Sequence, residues 1–79
     1  MERRALRLDP EDATAHYDLA IALAATGDDA AALEEARAAV RLREDAKGYR
    51  LLGHVEEALG RREEAARHLQ QAAGLGAGE

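Results

Sequence analysis

Lys47, Arg50 and His54 stand at i, i+3 and i+7, so on a helix they form one positive stripe, in a chain whose formal net charge is −5. Such a stripe suits a carboxylate or an acidic cluster, with Arg50 offering the planar fork that grips a carboxylate through two bonds. The plainer alternative is that exposed helix charges are simply solvated. Other chemistry is poorly supplied. His16, His54 and His68 invite a metal reading, but they fall on three different helices or helix faces, with no HExxH motif and no cysteine pair, so neither a metal nor another cofactor is expected. Glu56 and Glu57 are adjacent and therefore point in different directions on a helix, and no apolar pocket is suggested around either to raise its pKa. With no serine, no cysteine and no glycine-rich loop after a strand, the residues point to a protein without catalysis.

Length and composition limit what can hold these residues in place. At 79 residues there is room for one small domain, and a chain of that size buries only about 60% of the surface it exposes when unfolded. There are 20 alanines and 11 leucines, and Tyr17 and Tyr49 are the only aromatics. Ile21, Val40 and Val55 are the only aliphatic β-branched residues, so strands have little to build from and an all-α fold is expected. The acidic balance argues against nucleic acid as the main ligand. It is also uneven: residues 13–46 carry seven acids against three arginines, while residues 47–79 carry five of each sign. No apolar run reaches the length of a signal peptide core or a membrane span. A soluble, cytoplasmic protein without membrane partners is expected, and the richness in Ala and Arg suggests a GC-rich bacterial coding bias.

Four amphipathic stretches carry the pattern. Residues 12–26 place Ala15, Leu19, Ala22 and Leu23 on one stripe, with Asp12 as N-cap and Gly27 where a left-handed residue ends a helix. Asp28 or Asp29 caps a second helix over 29–42, with Ala32, Leu33, Ala36, Ala39 and Val40 inward and Arg41 and Arg43 at the end that favours cations. A third helix, 46–59, turns Tyr49, Leu52, Gly53 and Leu59 inward until Gly60 breaks it. A fourth, 62–73, returns with Ala65, Ala66, Leu69, Ala72 and Ala73. His16 reads as a partly buried packing residue and His68 as a surface or end-face residue. Turns of two or three residues make each pair antiparallel, and small residues bring each pair close, Ala20 against Ala32 and Gly53 against Ala65.

The pattern is written twice. Thirty-three residues separate Leu19 from Leu52, Gly27 from Gly60, Ala32 from Ala65 and Ala39 from Ala72, a period typical of stacked helical repeats. Ala5 and Leu8 precede Ala39 and Leu42 by 34 residues, so Met1 is read as starting within a preceding copy. The expected organisation is 1–12 as the end of that copy and its connecting turn, 13–46 and 47–75 as two repeats, and 76–79 as a flexible tail. Gly74, Gly76 and Gly78 are expected to fray the end of the last helix.

Leu19-Ala20, Gly27-Asp28, Ala32 and Ala39 in the first copy, and Tyr49, Leu52-Gly53, Gly60, Ala65 and Ala72 in the second, resemble the tetratricopeptide repeat family. Asp9-Pro10 is similar to that family's closing pair. His16 stands where an aromatic is usual, Glu56 where a bulky residue is usual, and Glu44 where a proline would close the repeat. The resemblance implies a helical-hairpin array acting as a scaffold or adaptor, with the first helix of each hairpin lining a concave groove. It assigns Thr14, Tyr17, Ile21, Ala24 and Ala25 to that groove from the first repeat, and Lys47, Arg50, His54, Glu57 and Ala58 from the second. The expected ligand is a protein or peptide with apolar side chains beside a carboxylate or acidic cluster. The Lys, Asn and Arg carboxylate clamp of some relatives is not carried over, because the chain has no asparagine.

Two repeats fall below the three or so that usually make an array self-sufficient. The chain is therefore either a segment of a longer repeat protein or a homo-oligomer paired through its end helices, with Leu6, Leu8 and Leu69 as the expected contacts. RNA binding by hairpin repeats of related shape is a third possibility, which the negative charge disfavours.

Overall fold

The structure, a computed structural model, describes residues 12–77, and among these residues there are four helices and no strand: α1 (Ala13–Ala25), α2 (Asp29–Leu42), α3 (Ala46–Ala58) and α4 (Arg62–Ala77). Each of the first three starts on an aspartate. Asp12, Asp28 and Asp45 accept from the backbone N–H of Ala15, Ala31 and Gly48 at 3.1, 3.4 and 2.9 Å, satisfying a donor that the first turn cannot pair internally. Asp28, rather than Asp29, is thus the cap of α2, and Asp45 does for α3 what the sequence pattern had not assigned to it.

Both hairpin turns close in the same way. Gly27 and Gly60 have φ of +88° and +84°, the left-handed region that residues with a Cβ rarely adopt. Asp28 N–H donates to the Leu23 carbonyl at 2.9 Å and Gly27 N–H to the Ala24 carbonyl at 3.0 Å. Thirty-three residues on, Arg61 N–H donates to the Glu56 carbonyl at 2.8 Å and Gly60 N–H to the Glu57 carbonyl at 3.0 Å. This paired closure satisfies carbonyls left over at a helix C-terminus. The sequence period is therefore also a period of backbone hydrogen bonds.

The helices pack as two successive hairpins, α1 on α2 and α3 on α4, with α3 also lying against α2 and, less extensively, α1. No Cα of α2 lies within 8 Å of a Cα of α4, so the second hairpin joins the first through α3. α2 buries Ala32, Leu33, Ala36, Ala39 and Val40, the face that its periodicity selects. Ala20 and Ala32 are both sealed from solvent. Between α3 and α4 the approach is closer still: a Cβ placed on Gly53 would lie 2.6 Å from Leu69 Cγ and 3.2 Å from the Ala65 carbonyl oxygen.

Several inward assignments change. In α1 the buried residues are Ala13 and Ala20, while Ala22 is exposed, because apolar residues occupy every side of this helix and periodicity cannot choose among them. In α3, Leu59 is exposed at the C-terminal cap, and Val55 and Glu56 are buried instead. In α4, Ala65 and Ala72 are buried but Ala66 and Ala73 are exposed. α4 also runs through Gly74 and Gly76 to Ala77, where fraying was expected. A Cβ on Gly76 would meet Ala46 Cβ at 3.8 Å, so the last turn lies against the start of α3, and this contact offsets the low helix propensity of glycine. The preceding return helix expected over Ala5 to Pro10, with Leu6 and Leu8, lies outside the described residues, as do residues 78–79.

Candidate functional site

The face expected to bind a peptide is built from α1 and α3, which lie side by side. Lys47 Nζ stands 5.1 Å from the centroid of the Tyr17 ring and so bridges the two helices. A cation over an aromatic face at an exposed site contributes about 0.5–1 kcal/mol. Beside it, Arg43 Nη2 donates to Thr14 Oγ1 at 3.3 Å, and Arg43 Nη1 lies 3.9 Å from Asp45 Oδ2. Thr14, Tyr17, Lys47 and Gly48 line a shallow depression enclosing about 260 Å³ of open space.

Farther along the same pair of helices, Ile21 is 44% exposed, which is large for a residue of its hydrophobicity, and Ala24 is half-buried. Ala25 and Ala58 are exposed near the C-terminal ends. The stripe of Lys47, Arg50 and His54 is exposed along α3, but its members are not equivalent. Lys47 is engaged with Tyr17, and His54 Nδ1 lies 3.7 Å from Glu57 Oε1. Arg50 has no hydrogen bond or ion pair among the described residues, so it is the cation of the stripe with its whole donor set open to a ligand. Leu69, expected at a self-association surface, is half-buried and packs over Gly53 inside the second hairpin, so only part of it is available to a partner.

A second group of polar residues was not assembled by sequence reasoning. Glu56 is 1% exposed, and its Oε1 lies 2.7 Å from His68 Nδ1. An ionised carboxylate only accepts, so Nδ1–H is the donor in this bond whenever Glu56 carries its charge. The His68 ring stacks on Tyr49, with centroids 5.8 Å apart and planes at 23°. His68, expected at the surface or an end face, is a half-buried tie between α3 and α4.

In the first hairpin, His16 Nδ1 lies 2.6 Å from Glu35 Oε1, and His16 is half-buried, as its packing role requires. The offset of 33 places His16 opposite Tyr49 and Glu35 opposite His68 in the two copies. One helix-to-helix position is therefore spanned by a His–Glu bond in the first hairpin and by a Tyr–His stack in the second. The substitution of His68 for Glu35 leaves the imidazole free to bond Glu56, which stands where the first copy has Leu23. Aligning the two copies residue by residue would have exposed this exchange. The group ties α3 to α4: Glu56 is 1% exposed, and its bond holds the His68 ring in place.

Among the described residues no helix is long and apolar enough to cross a membrane. No protein-family model matches the chain, and no curated protein matches it.

Proposed function

We propose that the chain is a tetratricopeptide-like protein-interaction module, a scaffold or adaptor without catalysis, that holds a peptide along the joined face of α1 and α3. The observation that carries this reading is the Lys47–Tyr17 contact, with exposed Ile21 one turn on from Tyr17 in α1 and exposed Arg50 one turn on from Lys47 in α3. A peptide with an apolar residue beside a carboxylate complements Ile21 and Arg50, the first by burial and the second by a two-bond contact. The Lys47–Tyr17 contact joins the two helices and holds that face in one arrangement before any ligand arrives.

The test is a fluorescence-anisotropy titration against an array of short peptides ending in leucine and glutamate combinations. Lys47→Glu with Arg50→Glu is expected to weaken the best peptide at least tenfold while leaving the circular dichroism spectrum unchanged. Equal affinity for the double variant and the parent would end this reading.

Self-association is the second reading, and α4 favours it. Ala66 and Ala73 occupy, thirty-three residues on, the positions of Leu33 and Val40, which are buried in α2, yet here both are exposed, with Leu75 42% exposed beyond them. Light scattering behind size exclusion over a hundredfold concentration range is expected to show mass rising with concentration. A constant monomer mass would remove this reading and leave the peptide-binding one standing.

A further inference from the structure

A groove runs between α2 and α4, with α3 as its floor. It encloses about 650 Å³ of space open to solvent. Arg37, Val40 and Arg41 stand on the α2 wall and Arg67 and Gln71 on the α4 wall, while the floor presents Tyr49 and Leu52. Three arginines thus converge on one groove in a chain that carries net negative charge.

The groove's two carboxylates are already engaged. Glu56 is bonded to His68 at 2.7 Å, and Glu64 accepts from Arg61 Nη1 at 3.3 Å. Arg41 and Arg67 have no ion-pair partner among the described residues, and Arg37 has only Glu34, at 3.9 Å and in solvent. With histidine counted as neutral, three arginines against two carboxylates leave the lining a net charge of +1, and neither carboxylate is paired with an arginine of the groove.

Spacing identifies what would complement it. Residues four apart on a helix are separated by about 6 Å along the axis. Alternate residues of an extended chain lie about 6.6 Å apart and point the same way. An extended segment with acidic side chains at i and i+2 therefore matches Arg37 and Arg41 in register. Its intervening side chains then face the other way, toward Arg67 and Gln71, and Gln71 can both donate to and accept from the segment's backbone.

We infer that the groove between α2 and α4 is a second binding site, distinct from the α1–α3 face, for an extended acidic segment of a partner protein with carboxylates at alternate positions. The inference does not depend on the peptide site proposed above. The two sites share α3 but draw on different residues of it, and they are removed by different substitutions.

The test uses the full chain and a labelled nine-residue peptide with glutamate at alternate positions and threonine between. A second peptide of the same composition has its glutamates in one block, and a thymidine oligonucleotide carries the same charge. The alternating peptide is expected to bind saturably and at least tenfold more tightly than either probe. Arg41→Glu with Arg67→Glu, both exposed positions, is expected to abolish that binding, whereas Lys47→Glu with Arg50→Glu is expected to change it less than twofold. Equal binding of the blocked peptide, stronger binding of the oligonucleotide, no saturation at millimolar concentration, or unchanged affinity in the Arg41/Arg67 variant would each overturn the inference.

Discussion

Gly53→Leu is expected to lower the melting temperature by more than about 10 °C. The α3–α4 crossing has no space for a side chain at this position: even a Cβ would come to 2.6 and 2.7 Å from Leu69 carbons and 3.2 Å from a backbone oxygen. Overpacking costs about 1–3 kcal/mol and more where backbone is involved, and in a domain of this size each kcal/mol moves the midpoint by about 4–8 °C. Gly53→Ala is the informative control. Alanine is favoured over glycine in a helix by about 1 kcal/mol, so a fall in melting temperature for Gly53→Ala means that packing outweighs propensity. Thermal unfolding followed by circular dichroism measures both, and an unchanged midpoint in the leucine variant would show that the hairpin can open without penalty. The same geometry makes Leu69→Glu an unsuitable probe of self-association alone, since a charge there would also enter the α3–α4 contact.

His68→Ala is expected to destabilise the fold by about 3 kcal/mol, because it leaves the Glu56 carboxylate buried without its partner. Loss of the stack on Tyr49 contributes a smaller share, about 0.5–1.5 kcal/mol. The more telling variant combines His68→Ala with Glu56→Leu. Leucine is what the first hairpin carries at the corresponding position, Leu23, which packs against its core. Replacing a buried polar pair by apolar groups is often neutral or stabilising, so the double variant is expected to recover most of the loss. Urea unfolding of the parent, both single variants and the double variant gives the coupling energy directly. A loss below about 0.5 kcal/mol in His68→Ala, or no recovery in the double variant, would mean that water replaces the imidazole at no penalty.

How far the candidate sites were legible follows from the same residues. The positive stripe could be read from spacing alone, since i, i+3 and i+7 on any helix share a face, and it is exposed on α3 as that rule requires. That Lys47 would be drawn onto Tyr17 could not be read, because it depends on how α3 lies beside α1. The arginine groove was illegible for a similar reason. Arg37 and Arg41 come from one hairpin and Arg67 from the next, and only the placement of α3 beneath both walls brings them together.

By itself the sequence determined the local events: aspartates ahead of helices, glycines at both turns, the buried face of α2 and the 33-residue recurrence. The caps and turns depend on interactions within a few residues of chain, the apolar face of α2 is set by periodicity alone, and the recurrence is that local pattern written twice. Tertiary structure decided which side of α1 turns inward, since its apolar residues lie all round, and how far α4 extends, since Gly76 rests on Ala46. It also decided that Glu56 is buried. A carboxylate enters a core only when a partner is brought to it, and His68 reaches Glu56 across a hairpin whose closeness is set by the missing side chain of Gly53.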